Sequence, residues 1–118
     1  MAIGTLKEIE AAFPAMIKDK AQALVFTTTP LLFEYRQRIA DLAIKHRLPF
    51  VSSFKEFTEA GGLASYGLSL ANNYRLAATY VDKILKGAKP ADLPVEEPTI
   101  LERYVNRDRF SNIGCYWV

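Results

Sequence analysis

Cysteine and histidine each occur once in the 118 residues, as Cys115 and His46. A lone cysteine forms no intrachain disulfide, and one residue of each type cannot supply the ligand sets of structural zinc. An oxidised scaffold and a Cys-rich metal module are both excluded. Charge of one sign is also scarce: 15 Lys and Arg against 13 Asp and Glu leave a formal +2. That surplus is too small for the phosphate attraction that drives nucleic-acid binding, so no nucleic-acid partner is expected. Long apolar runs are missing too. The uncharged stretch Ala21 to Phe33 is interrupted by Gln22, three threonines and Pro30, and falls short of the roughly 20 apolar residues that cross a bilayer. The opening Met1 to Glu8 lacks the basic segment, apolar stretch and cleavage site of an export signal, so the chain as written is expected to stay in the cytoplasm. What the chain does contain is 50% hydrophobic residues, with seven Phe and six Tyr, enough to bury one core of ordinary domain size.

Local patterns predict an alternation of helices and strands. Thr5 with Glu8 makes a capping box, and Leu6, Ile9, Phe13, Met16 and Ile17 recur at helical spacing behind it. Pro14 predicts either a kink there or a second short turn. The apolar Ala23 to Thr27 suits a strand buried on both faces of a parallel sheet. Leu31 to Lys45 has one apolar helical face, with His46 and Arg47 favourably placed at its carboxyl end. Pro49 to Ser52 predicts a second strand; Ser53 and Glu56 a second capping box; Phe54 to Ala60 a short helix stopped by Gly61 and Gly62; Leu63 to Tyr66 a third strand. Ser69 caps the clearest helix, whose stripe of Leu70, Tyr74, Ala77, Val81, Ile84 and Leu85 ends at Gly87. Pro90, Pro94 and Pro98 make residues 88–99 an extended crossing segment, and Ile100 to Val105 is a candidate fourth strand.

This order selects an α/β fold: a three-layer α/β/α, open parallel sheet with Rossmann-like connectivity. In such sheets ligands bind beyond the carboxyl ends of the strands. Those ends hold Thr28 and Thr29, then Ser52 and Ser53 followed by Phe54, then Ser65 and Tyr66. They are neutral, rich in hydroxyls and flanked by aromatics, which suits hydrogen bonding to a small solute and cover for its apolar part. The competing reading is that each hydroxyl only caps the helix after it. A phosphoacceptor receiver has this size and order, but its chemistry needs acids where these hydroxyls stand. The glycines from Gly61 to Gly67 fit neither a dinucleotide fingerprint nor a phosphate loop. His46 lies at the wrong end of its helix to activate Ser52 or Ser65. No catalytic residue, metal or cofactor is expected.

Three segments carry a resemblance: Leu48-Pro49, the run Gly61 to Gly67 (Gly-Gly-Leu-Ala-Ser-Tyr-Gly), and Tyr80 to Thr99, with Ile84-Leu85-Lys86-Gly87 before Lys89-Pro90. From about Leu6 to Asn106 the chain resembles the substrate-binding proteins of ABC transporters, in the branch of the periplasmic-binding-protein fold that includes aromatic-amino-acid binders. The resemblance implies residues 1–106 as most of the second of two lobes, with residues 88–106 crossing back, and a distinct tail at 107–118. It implies cleft contacts at Thr28, Thr29, Ser52, Phe54, Ser65 and Tyr66. It also implies a truncated, non-enzymatic lobe for an amino acid or similar small solute, a permease partner and a periplasmic setting. Thr stands after the first strand where relatives often carry an acid, which leaves the solute open. Removing the first lobe is expected to leave the segment Pro94 to Val105 unpaired and to drive homo-oligomerisation by strand exchange. The alternative is a free-standing α/β signalling or enzyme domain of receiver-like size.

Overall fold

Thr5 opens the first helix as its spacing to Glu8 requires: the Thr5 hydroxyl accepts the Glu8 N–H at 3.3 Å, and the Glu8 carboxylate accepts the Thr5 N–H at 3.1 Å. A computed structural model describes residues 3–112; Cys115 and the last part of the predicted tail lie outside them. Helix α1 (Leu6–Lys18) runs through Pro14 without a second turn. Proline removes one N–H from the helix ladder, and the burial of Ile9, Ala12 and Phe13 on either side outweighs that loss. Strand β1 (Leu24–Val25) is shorter than predicted.

The helix expected over Leu31 to Lys45 divides into α2 (Pro30–Glu34) and α3 (Arg36–Lys45) at Tyr35. The Arg36 guanidinium donates to the Phe33 carbonyl at 3.0 Å, occupying an acceptor that a continuous helix would give to a backbone N–H. Strand β2 (Phe50–Ser52) and helix α4 (Lys55–Ala60) follow. The predicted Ser53 cap is not formed. Phe54 is the N-cap and makes no side-chain capping bond. Strand β3 (Ala64–Leu68) leads through Ser69 into α5 (Leu70–Leu85), where the Ser69 hydroxyl accepts the Asn72 N–H at 3.2 Å. A 3-10 turn at Pro90–Asp92, strand β4 (Leu101–Val105) and helix α6 (Arg107–Asn112) complete the order.

The sheet order is β1-β2-β3-β4, parallel except for β4, which runs antiparallel to β3. All five residues of β4 pair with β3, from Ala64 with Val105 to Leu68 with Leu101. The expectation that the whole of Pro94 to Val105 is left unpaired is thereby corrected: the returning chain finds its hydrogen bonds on its own sheet. Helices α1, α3 and α4 share one core with the sheet, centred on Ile9, Ile39, Leu48, Phe50 and Phe57. Phe50 and Ser52 face that core.

Alternation along the strands sends Val25, Val51, Ala64, Tyr66, Leu101 and Val105 to the other face. Val25 is 84% exposed there, so the first strand is not buried on both sides as expected. Helix α5 buries none of its residues. The molecule measures 57 × 37 × 18 Å, and its thinnest dimension suits one helical layer on one sheet. The α/β class holds; among the described residues no helix covers the second face of this sheet, because α5 stands off it. Among the described residues no helix is long and apolar enough to cross a membrane.

Candidate functional site

A groove of about 380 Å³ lies at the carboxyl ends of the strands, lined by Thr28, Thr29, Pro30, Phe33, Glu34, Phe54, Leu70 and Tyr74. Three independent segments converge there: the β1–α2 turn, the β2–α4 turn and the first turn of α5. Each is held in place locally. Thr29 caps α2, its hydroxyl accepting the Leu32 N–H at 3.3 Å, and Pro30 takes the first helical position, where no N–H is needed. The Ser52 hydroxyl donates to the Phe54 carbonyl at 3.3 Å, fixing the β2–α4 turn.

The groove wall is aromatic and tied to the core. Phe33 and Phe54 meet edge to face with centroids 6.2 Å apart, and Phe33 meets the fully buried Phe57 edge to face at 5.9 Å. Phe57 in turn contacts Phe26 at 5.1 Å, and Phe26 contacts Phe50 at 5.5 Å. Edge-to-face pairs set ring orientation as well as burying area, so the wall is rigid by its connection to the core. The Arg36 guanidinium lies 4.8 Å from the Phe33 ring centroid and covers it from one side. One carboxylate, Glu34, lines the groove.

Of the six residues predicted from the sequence, the groove brings together Thr28, Thr29 and Phe54. The Thr28 Oγ1 is buried and has no hydrogen-bond partner among the described residues. Ser52 and Ser65 form a paired couple across β2 and β3, and both are buried on the helix-covered face. They lie beneath the turn rather than along the groove lining. Tyr66, one residue further along β3, points to the opposite face and is 58% exposed. Leu70 and Tyr74 were not predicted as site residues. The signal was available: α5 starts one residue after β3, so its first turn must sit at the carboxyl edge. Among the described residues no three His, Cys, Asp or Glu side chains converge on a common point.

The sequence matches the family model of the ABC transporter substrate binding protein over residues 1–116. The chain belongs to this family. The match continues ten residues past Asn106. No match was found among curated protein sequences. Solved structures share the fold. An ABC domain in complex with L-Trp from Streptococcus pneumonia superposes with a TM-score of 0.86 at 23% identity, covering 97% of this chain and 38% of that one. A conserved domain protein from Vibrio cholerae gives 0.80 at 19% identity, covering 92% and 36%. A ligand-free, open substrate-binding protein with adhesive properties from Clostridium difficile gives 0.64 at 21%, covering 100% and 40%. The chain thus spans well under half the length of these structures.

Proposed function

We propose that the chain is one solute-binding lobe of an ABC transporter substrate-binding protein, a part of a longer two-lobed receptor. It performs no catalysis itself, and it works outside the cytoplasmic membrane with a permease. The groove takes an amino acid or similar small solute. Thr28 supplies a hydroxyl to a polar group of the solute, Phe33 and Phe54 cover its apolar part, and Thr29 and Tyr74 border it. Ser52 contributes through the Phe54 carbonyl rather than by touching the solute, and Ser65 and Tyr66 are assigned no contact.

The observation that carries this reading is the Thr28 Oγ1, a buried polar atom without a protein partner beside an aromatic wall. Buried hydroxyls are almost always hydrogen-bonded, and a solute in the groove would satisfy this one. The similar ABC domain in complex with L-Trp supports an amino acid as the class of solute.

One lobe offers one wall, so binding is expected to be weak, with Kd at about 1 mM or above. An NMR titration of isotope-labelled protein with individual L-amino acids checks it. Saturable shifts confined to Thr28, Phe33, Phe54 and Tyr74, and lost in Thr28→Val, are the expected result. Absence of any saturable shift in that groove with every amino acid tested, at concentrations of tens of millimolar, overturns the reading.

A further inference from the structure

The carboxylate of Glu34 lines the groove without a local partner for its charge. Glu34 is the last residue of α2, the end of a helix where negative charge is unfavourable. A helical carboxylate ordinarily meets a cation three or four residues away. Here Arg38, four residues on, is committed to Glu10 of α1 at 2.8 Å, and Gln37, three on, donates to Asp41 at 3.0 Å. Two other cations adjoin the groove in sequence and are engaged elsewhere. The Arg36 guanidinium is taken up by the Phe33 carbonyl and ring, and Lys55 Nζ lies over the Tyr104 ring, 5.5 Å from its centroid. The Glu34 side chain is exposed and has no ion pair or hydrogen bond among the described residues.

The groove therefore has a sign. Its described lining holds one acid, two threonines and apolar or aromatic side chains, and no Lys, Arg or His. Aromatic faces attract cations. A threonine oxygen accepts a hydrogen bond from an ammonium group, and Thr28 Oγ1 has that capacity unused. A carboxylate on the solute would meet the Glu34 charge with no lining cation to offset it.

We infer that this lobe selects its solute by a cationic amine, received by the Glu34 carboxylate. The class it takes is a small primary amine with an apolar or aromatic body, of which α-amino acids are one case, and a solute carboxylate is not read by this lobe. The inference rests on the solute-binding reading of the groove and adds its charge selectivity. Because Glu34 is exposed, attraction of an amine and repulsion of a carboxylate each change affinity by only about two- to fivefold, so together they separate the two by at least about fourfold.

Three probes that share a phenyl body test this: phenethylamine, L-phenylalanine and 3-phenylpropanoate, each titrated into isotope-labelled chain at low ionic strength, where exposed charges are least screened. Shifts at Thr28 and Phe54 report binding. Phenethylamine is expected to bind at least about fourfold more tightly than 3-phenylpropanoate, with L-phenylalanine between them. Glu34→Gln is expected to bring that ratio to within about twofold with an unchanged circular dichroism spectrum. Asp92→Asn, which removes an acid that does not line the groove, is expected to keep it. Equal binding of amine and carboxylate, or a ratio that survives Glu34→Gln, overturns the inference and leaves the groove a solute site. Binding of L-phenylalanine alone also overturns it, since the carboxylate is then read here as well. No saturable shift from any of the three overturns the inference together with the reading on which it rests.

Discussion

Gly67 of β3 lies against the backbone carbonyl of Ser53, so closely that a Cβ on Gly67 would stand 2.1 Å from that oxygen. Only glycine permits this approach, and the approach sets where the β2–α4 turn sits. Because Phe54 follows Ser53, the position of the aromatic wall depends on a residue in a different strand. Gly67→Ala is expected to push the turn outward, lowering stability by about 1–3 kcal/mol. Urea denaturation measures the loss, and the Phe54 and Phe33 ring resonances are expected to shift in the folded fraction.

Ser65 carries the opposite expectation. Its hydroxyl is buried and has no partner among the described residues, and a buried unsatisfied polar group is a cost rather than a gain. Ser65→Ala is expected to leave stability unchanged or raise it by up to about 1 kcal/mol, without altering the solute-induced shifts of Thr28. A loss above about 1 kcal/mol in thermal unfolding would show that the hydroxyl is bonded in solution.

Arg47 ends α3 in the left-handed region at φ 53°, where its N–H reaches the Ile44 carbonyl at 3.1 Å and the next N–H, from Leu48, reaches Ala43 at 2.8 Å. This is the position at which helices favour glycine. Arg47→Gly is expected to stabilise the domain by about 0.5–1 kcal/mol, a rise of a few degrees in Tm. An unchanged or lower Tm would show that the arginine side chain contributes more than its backbone costs.

Tyr80 gives a pH dependence. Partial burial, and next the Glu96 carboxylate beside it, push its phenol above the usual 10.0. A raised folded value means that the neutral form is favoured by folding. Its contribution is fully present below the unfolded value near 10 and is lost as pH rises through the higher folded value. The phenolate cannot donate to the Pro94 carbonyl, so the returning segment is expected to loosen in that alkaline window. Limited proteolysis of residues 94–100 against pH checks this, and Tyr80→Phe is expected to show the loosened pattern already at neutral pH.

Short-range chemistry was legible in the sequence. The Thr5 and Glu8 box, the Ser69 cap and the left-handed Gly87, at φ 104°, all occur where spacing placed them. Each depends on groups no more than about four residues apart, so a few side chains determine the outcome. The candidate groove was legible in part for the same reason: Thr28, Thr29 and Phe54 follow their strands directly and line it, whereas Ser65 is buried on the helix-covered face.

Period-two alternation separates Ser65 from Tyr66 without saying which face the helices cover. That choice belongs to the tertiary structure, as do the antiparallel entry of β4, the break at Tyr35 and the outward course of α5. Each turns on which distant segment takes a hydrogen bond or an apolar surface: Leu101 to Val105 on β3, Arg36 on the Phe33 carbonyl, one connecting residue between β3 and α5. Residues near in sequence specify conformation because their geometry is bounded, while pairing between distant segments is settled only when the whole core is assembled at once.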